Sequence, residues 1–213
     1  MSTLTALPPG VTHRLVLLRH GEPSERARGR CYGKLDVGLS EAGRAQVRAV
    51  GARLAGSSFA SIYASPRVRA RESAALLGLC PPEAVRVDPR FSELDFGEFE
   101  GLRYEEVEAR YPEAYAEWMR SPTTMRFPKG ESFAQMQARV LAGVAELRER
   151  HAGEAVLLAS HGGVGRIILA AALAMADADI FRIGQDYANL SWIDLYGDTP
   201  IVRALNWTPD QPQ

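Results

Sequence analysis

Residues 14–22 read Arg-Leu-Val-Leu-Leu-Arg-His-Gly-Glu, an apolar run that changes abruptly to charged and polar residues. The run from Arg14 to Leu18 is short and rich in leucine and valine, which is typical of a strand buried on both faces. It stops at Arg19, His20 and Gly21, where a loop is expected. The sequence therefore predicts a buried strand whose carboxyl end presents Arg19 and His20.

Two further stretches have the same design, a short apolar strand followed by polar residues. These are Ser61–Ala64, followed by Ser65, Pro66 and Arg67, and Ala155–Ser160, followed by His161 and Gly162. Ser65 before Pro66 indicates the start of a helix, with Ser65 as its N-cap, that runs to about Leu77. An alanine-rich helix is expected behind His161.

The rest of the chain alternates between helical and extended patterns. Helices are predicted over residues 40–54, 104–111, 113–119 and 131–150, and strands over 85–87, 190–195 and 201–205. Strands that alternate with helices at this spacing predict an α/β layered helix-sheet-helix fold around a mostly parallel sheet. Residues 1–213 are predicted to form a single domain, in which residues 91–135 make a small helical excursion over the carboxyl edge of the sheet.

The composition of the 213 residues is that of an ordinary globular protein, with 46% hydrophobic and 24% charged residues. Its 25 Lys and Arg nearly balance its 26 Asp and Glu, which argues against a general nucleic-acid binder. The longest apolar run, Ile167–Ala176, is too short to span a bilayer, so no membrane partner is expected. Two cysteines, Cys31 and Cys80, and the lack of a signal-peptide pattern in residues 1–12 indicate a reducing cytoplasm.

Three strand ends bring two imidazoles and two guanidiniums to one edge of the predicted sheet. Ligands of such sheets bind beyond the carboxyl ends of the strands, where His20, His161, Arg19 and Arg67 are expected. Arginine suits bidentate capture of phosphate oxygens, and helix N-termini at the same edge also favour anions. Residues 1–75, with 12 Lys and Arg against 5 Asp and Glu, are strongly basic. Because a neutral imidazole can attack phosphorus, these residues predict phosphoryl chemistry that needs no metal.

Five motifs in this order resemble the histidine phosphatase family, whose members include the phosphoglycerate mutases. The motifs are Leu17–Glu22, Tyr32–Asp36 with Leu39–Gly43, Tyr63–Arg67, Ser92–Gly101 and Ser160–Gly163. Together they cover most of residues 14–206. Each motif alone is ordinary, and their common order makes the resemblance specific.

By this resemblance the catalytic residues are His20, Glu93 and His161. His20 would attack phosphorus as the nucleophile, and Glu93 would protonate the leaving alcohol and then activate water. An acid at the leaving oxygen contributes about 10²–10⁴-fold to the rate. Burial of Glu93 among its neighbouring phenylalanines, Phe91, Phe96 and Phe99, would favour the protonated carboxyl that this task requires. Three nearby carboxylates remain alternatives on the sequence alone, namely Asp95, Glu98 and Glu100.

The resemblance also implies a set of phosphate-binding groups. Arg19 and Arg67 would bind the phosphate as a clamp. His161 would contact the phosphate and stabilise the transferring group, with an oxyanion contact added by the backbone N–H of Gly162. Glu22 would orient its neighbours, and no metal or organic cofactor is implied.

Most of the remaining basic residues outside these motifs are expected to be structural or exposed to solvent. Arg69 and Arg71 are predicted on a solvated helix face, and His13 and His151 as structural or exposed residues. Three loop arginines either recognise further negative charge or face solvent, namely Arg26, Arg28 and Arg30.

The aromatic residues of the excursion also have two interpretations. They are Tyr104, Tyr111, Tyr115, Trp118 and Phe127. They either line a substrate lid or form a small core within the excursion, and the core is the preferred interpretation.

Hydrolysis of phosphate monoesters of small metabolites is the function that the sequence favours, with a small phosphate monoester as partner and a homodimer left open. The alternative is mutase chemistry, which returns the phosphoryl group to a sugar acid. The mutase-type signature continues into Thr and Asn where this chain has Pro23 and Arg26, and the end at 207–213 is short and polar. A non-catalytic phosphoester-binding module is less favoured, because the full catalytic set is present. Residues 29–36 are similar to the α-ribazole phosphatase branch, although broad-specificity members share this pattern.

Overall fold

A computed structural model describes residues 4–209 and shows a central sheet between two layers of helices. Within these residues the sheet has six strands in the spatial order β3-β2-β4-β1-β5-β6. The strands are β1 His13–Arg19, β2 Ser61–Ala64, β3 Arg86–Val87, β4 Ala155–Ser160, β5 Leu190–Tyr196 and β6 Thr199–Trp207. Strands β1 to β4 are parallel, and β5 and β6 are antiparallel to their neighbours. The predicted mostly parallel α/β sheet is confirmed. The polar segment predicted at residues 207–213 lies partly outside the described residues.

Helices cover both faces of this sheet. They are α1 Glu41–Leu54, α2 Val68–Leu76, α3 Tyr104–Arg110, α4 Pro112–Arg120, α5 Phe133–Arg150 and α6 Gly162–Ala172. Val16 and Leu18 of β1 pack with α1 and α2, whereas Leu15 and Leu17 pack with α5 and α6. Because both faces of β1 are buried, the strand is apolar throughout instead of alternating with polar residues. In the described part of the chain, no helix has the length and apolar character needed to cross a bilayer.

The register of the parallel strands places three polar segments side by side. Arg19 pairs with Ser160 across β1 and β4, so the next residues, His20 and His161, leave the sheet together. The backbone N–H of His20 donates to the carbonyl of Ser160 at 3.0 Å. Strand β2 ends beside β4, which brings Ser65 to the same edge.

The excursion predicted at residues 91–135 contains its own apolar cluster. The buried members of this cluster are Cys31, Phe99, Val107, Trp118, Met125 and Phe127, with Tyr111 and Tyr115 packed against them. These aromatic residues therefore form a small core, as preferred from the sequence. Tyr104 differs, since its ring stacks on Trp118 at 5.5 Å between centroids but is 42% exposed.

Two predicted helix starts are wrong. Ser65 does not cap α2, which begins at Val68, because the Ser65 hydroxyl lies against His161 and Asp36 Oδ1 accepts the Val68 N–H instead at 2.8 Å. The long helix predicted from residue 131 begins at Phe133, where Ser132 and Gln135 form a reciprocal cap. Glu131 lies before the helix, and its carboxylate accepts from the guanidinium of Arg139.

Candidate active site

The imidazoles of His20 and His161 form the centre of the site. Their ring centroids are 5.3 Å apart at an interplanar angle of 65°, and both residues are buried. His20 Nδ1 lies 2.7 Å from the carbonyl oxygen of Gly21, and because that oxygen can only accept, the Nδ1 atom carries the proton. The other ring nitrogen of His20, Nε2, is therefore left with its lone pair while the ring is neutral.

Both imidazoles are held in the neutral form. Burial, followed by the nearby guanidiniums of Arg69 and Arg19, holds the pKa of His20 well below its ordinary value of 6.5. Burial and the charge of Arg69 are also the leading causes that keep the pKa of His161 well below 6.5. A neutral imidazole retains the lone pair that a nucleophile requires.

A serine orients the second imidazole. His161 Nε2 lies 2.7 Å from Ser65 Oγ, and Ser65 is fully buried. The Ser65 hydroxyl also accepts the backbone N–H of Arg67 at 3.3 Å. The residue that the sequence suggested as a helix cap is therefore part of the histidine site.

Arg19 and Arg67 lie near the second imidazole, since the charge of each contributes to lowering the pKa of His161. The Arg19 guanidinium lies over the ring of Tyr187 at 4.2 Å and donates to the carbonyl of Gln185. Arg67 donates from Nη1 to the carbonyl of Lys34 at 3.2 Å. These contacts fix one side of each guanidinium.

Arg69 is not on a solvated helix face, so that prediction is wrong. The residue is fully buried and donates to three backbone carbonyls, those of Tyr32, Gly33 and Leu35, at 2.9–3.1 Å. Burial lowers the pKa of Arg69 from its ordinary value. Arg71, two residues along, is exposed as predicted.

Three guanidiniums and one imidazole each keep a buried nitrogen that lacks a hydrogen-bond partner within residues 4–209. These atoms are Nε of Arg19, Arg67 and Arg69, and Nδ1 of His161. A buried unsatisfied polar group costs about 1–3 kcal/mol, so such a cluster needs a reason. An anion placed among these nitrogens would satisfy the three N–H donors of the arginines.

Glu93 approaches the same site from the excursion. Its Oε2 accepts the backbone N–H of Gly163 at 3.0 Å, and its Oε1 accepts the N–H of Leu94 at 2.9 Å. A Cβ atom at Gly163 would lie 2.3 Å from Oε1, so only glycine allows this approach. The carboxyl group of Glu93 is thus held at the first turn of α6, next to His161 and Gly162.

The three rival carboxylates are engaged elsewhere. Asp95 pairs with Lys34 at 2.6 Å, and Glu98 pairs with Lys129 at 2.5 Å. Glu100 accepts backbone N–H groups of the loop after β1. The expected phenylalanine surroundings of Glu93 are divided, because Phe91 belongs to the core under α5 whereas Phe99 belongs to the excursion.

Gly162 is the first residue of α6, so its N–H has no acceptor within the helix and is available to an anion. A Cβ here would contact the guanidiniums of Arg19 and Arg166 at 3.2–3.3 Å. Glu22 accepts a hydrogen bond from the hydroxyl of Ser40 at 3.0 Å, and Ser40 is the N-cap of α1. The bond links the Leu17–Glu22 motif to the start of this helix.

The other two histidines lie away from the site. His13 begins β1, at the opposite end from His20, and its Nδ1 lies 3.0 Å from the carbonyl of His151. His151 contacts the hydroxyl of Tyr63 at 2.9 Å and is buried. Both are structural, as the sequence indicated.

A cavity of about 440 Å³ opens beside Arg19, the residue before His20. Its lining includes Arg19, Glu22, Glu25, Arg28, Arg30, Tyr32, Tyr104 and Tyr187. Tyr32 and Tyr187 join through their hydroxyls at 3.2 Å, and both rings lie within 6.4 Å of the His20 ring, centroid to centroid. Arg30 is held by the carbonyl of Gly101 at 2.6 Å, whereas Arg26 and Arg28 are exposed.

The family is decided by comparison with known proteins. The profile described as "Histidine phosphatase superfamily (branch 1)" matches residues 15–208. The chain belongs to the histidine phosphatase superfamily. It is an enzyme that hydrolyses phosphate monoesters, which confirms the reaction class expected from the sequence.

Relatives with different named substrates are similarly close. Phosphoserine phosphatase 1 of Hydrogenobacter thermophilus is 31% identical over 195 residues, which is 92% of each chain. Glucosyl-3-phosphoglycerate phosphatase of Mycobacterium tuberculosis is 35% identical over 192 residues, covering 86% of this chain and 85% of that one. The structure is similar to that of a putative alpha-ribazole-5'-P phosphatase from Escherichia coli, with a TM-score of 0.85, 27% identity and coverage of 92% and 97% of the two chains.

Proposed function

We propose that this enzyme hydrolyses phosphate monoesters of small metabolites through a phosphohistidine on His20, with Glu93 as general acid and base. One observation carries the proposal. The neutral imidazole pair lies within reach of the charges of three arginines, Arg19, Arg67 and Arg69, and each of these has a buried Nε that lacks a partner within residues 4–209. A phosphoryl group between these groups would receive a nucleophile and three charged donors at once.

In the first step the lone pair of His20 Nε2 forms a bond to phosphorus. The bond between phosphorus and the alcohol oxygen breaks, and its electron pair stays on that oxygen. Glu93 gives its proton to the oxygen, so that a neutral alcohol leaves. The Nδ1–H of His20 remains on the Gly21 carbonyl and keeps the ring in the reactive tautomer.

In the second step water attacks the phosphohistidine. Glu93, now a carboxylate, takes a proton from the water as its oxygen bonds to phosphorus. The bond between phosphorus and nitrogen breaks, its electron pair returns to His20 Nε2, and phosphate leaves.

The charge that develops on the phosphoryl oxygens needs donors in both steps. Arg19, Arg67 and Gly162 would supply them, as the family resemblance implies, and His161 would contact the transferring group. Arg69 joins this set on geometric grounds, because its Nε is buried and unpartnered within the described residues while its other nitrogens are fixed by three carbonyls. Fixed donors in a buried site favour the transition state without reorganising.

The alcohol part of the substrate is assigned to the 440 Å³ cavity lined by Arg19, Tyr32 and Tyr187. This volume lies in the range of pockets that hold drug-sized ligands, so it suits a ring-bearing alcohol better than serine. The α-ribazole and glucosylglycerate esters named for two relatives have such rings. Because Tyr104 lines the cavity with an exposed ring, Tyr104→Ala is expected to lower kcat/KM about 3–10-fold for a ring-bearing ester and less for phosphoserine.

The test is a panel of phosphate monoesters assayed with a chelator, with His20→Ala as the control. The panel contains α-ribazole phosphate, phosphoserine, glucosyl-3-phosphoglycerate and 3-phosphoglycerate. Chelator-resistant release of phosphate that is lost in His20→Ala supports the proposal. Transfer between acceptors without phosphate release would instead indicate a mutase, and binding without turnover a phosphoester-binding module.

The setting of the reaction is also a proposal. Two free cysteines, Cys31 and Cys80, are compatible with a reducing cytoplasm. We propose a small phosphate monoester as the binding partner and propose no nucleic-acid or membrane partner. Whether the protein forms a homodimer is to be decided by measuring its mass in solution.

A further inference from the structure

Arg139 of α5 is bonded to the backbone that carries Glu93. Its Nη1 donates to the carbonyls of Arg90 and Ser92, each at 2.7 Å, and its Nη2 donates to the carbonyl of Glu93 at 3.1 Å. One side chain therefore holds three carbonyls within four consecutive residues. A guanidinium can do this because its donors form a rigid planar fork.

Glu131 fixes this guanidinium from the other side. Its two carboxylate oxygens accept from Nε and Nη2 of Arg139, the former at 3.0 Å. Glu131 Oε1 also accepts the backbone N–H of Asp95 at 2.9 Å, and the Glu131 N–H donates to the Asp95 carbonyl at 3.1 Å. The backbone on both sides of Glu93 is thus tied to the same ion pair.

The position of the Glu93 carboxyl depends on this backbone. Glu93 is only partly buried, and its Oε2 bonds to Gly163 at the start of α6. A displacement of about 1 Å in a catalytic group can cost 10²-fold in rate. The ion pair itself lies on the α5 side of residues 90–95, and within residues 4–209 its hydrogen bonds do not reach His20 or His161.

We propose that Arg139, oriented by Glu131, positions Glu93 for proton transfer to the leaving alcohol. This inference rests on the hydrolysis proposed above. Arg139 acts through the backbone and is a positioning residue. Its effect is therefore specific to substrates whose leaving group needs a proton.

The nature of the leaving group separates positioning from general stability. An alkyl ester releases a strongly basic alkoxide that needs the proton of Glu93, whereas p-nitrophenyl phosphate releases a stabilised phenolate that needs little help. The ratio kcat/KM reports steps up to loss of the alcohol and excludes the later attack of water. Comparing kcat/KM for the two esters isolates the proton donation.

The variants are Arg139→Lys and Glu131→Gln, with Arg148→Lys as a matched control on the same helix. Arg148 pairs with Asp198 at the surface. Glu93→Gln shows the size of the effect when the proton donor itself is removed. Thermal unfolding of each variant shows whether it is folded. If Arg139→Lys does not fold, Glu131→Gln carries the test.

We expect Arg139→Lys and Glu131→Gln to lower kcat/KM for the alkyl ester about 10–100-fold and for p-nitrophenyl phosphate less than about 3-fold. Arg148→Lys should change neither. Equal losses on both esters, or no loss in a folded variant, would overturn the positioning role. The proposed hydrolysis fails separately, either if the wild-type enzyme turns over neither ester or if Glu93→Gln affects both equally.

Discussion

Ser65 Oγ lies 2.7 Å from His161 Nε2, and this hydrogen bond joins two residues that are 96 positions apart in the chain. Ser65 follows β2 and His161 follows β4, and the two strands are neighbours in the parallel sheet. The bond orients the His161 ring, whose centroid lies 5.3 Å from the centroid of the His20 ring. The strand register thereby sets the geometry of the imidazole pair.

Loss of the Ser65 hydroxyl should impair activity more than folding. Ser65→Ala removes a hydrogen bond worth about 0.5–1.5 kcal/mol, so we expect kcat/KM to fall about 2–13-fold while the fold is retained. The measurement is kcat/KM together with thermal unfolding. Ser61→Ala, the same change at the other end of β2, is the control and should leave kcat/KM unchanged.

Arg69 should be essential, whereas Arg71 on the same helix should not. Arg69→Lys loses the fork that serves three carbonyls and an Nε that has no partner within residues 4–209. We expect kcat/KM to fall by at least about 10²-fold, with a stability loss of about 2–4 kcal/mol in urea unfolding. Arg71→Lys should stay within about 0.5 kcal/mol of the wild type. Wild-type kcat/KM in Arg69→Lys would remove Arg69 from the site.

The sequence predicts elements that are defined by local pattern. Residues 61–64 and 155–160 are strands with the predicted bounds, because their burial on both faces makes them apolar throughout. The positions of His20, His161 and Arg19 follow from these strands, since parallel strands end at one edge. Glu93 came from the family resemblance, because no local pattern separates it from its acidic neighbours.

The sequence does not reveal contacts between distant segments. Arg69 looks solvated because its carbonyl acceptors belong to a loop more than 30 residues earlier in the chain. The sequence around Arg69 does contain one indication of burial. Ala70, Ser73 and Ala74 are small residues on the same helix, and they are typical of a closely packed helix face. Arg139 and Glu131 are missed for the same reason, since the backbone groups that they bind lie 36–49 residues earlier in the chain.

The buried neutral histidines should make the fold less stable in acid. The pKa values of His20 and His161 are held below 6.5 in the folded state, so below pH 6.5 the unfolded chain binds protons that the folded chain does not. Each contributes stability that is present above pH 6.5 and lost as pH falls, by up to about 1.4 kcal/mol per pH unit. Urea unfolding of wild type and His20→Gln in phosphate-free buffer measures this.

The variant should lose less stability than the wild type between pH 7.0 and 5.5, by up to about 1.2 kcal/mol, since it has one fewer histidine to protonate. His13, whose pKa is also lowered by burial, is present in both proteins and cancels in the comparison. Identical losses in the two proteins would show that His20 is not kept neutral by the fold.

The proposed phosphoenzyme can be tested for directly by trapping. The enzyme is mixed with a substrate ester labelled with ³²P, quenched in alkali within one turnover and digested, and the labelled peptide is identified. We predict that label is held on Nε2 of His20, that it is absent in His20→Ala, and that Glu93→Gln changes its amount without moving it. Label on another residue, or phosphate release by His20→Ala at the wild-type rate, would contradict the account.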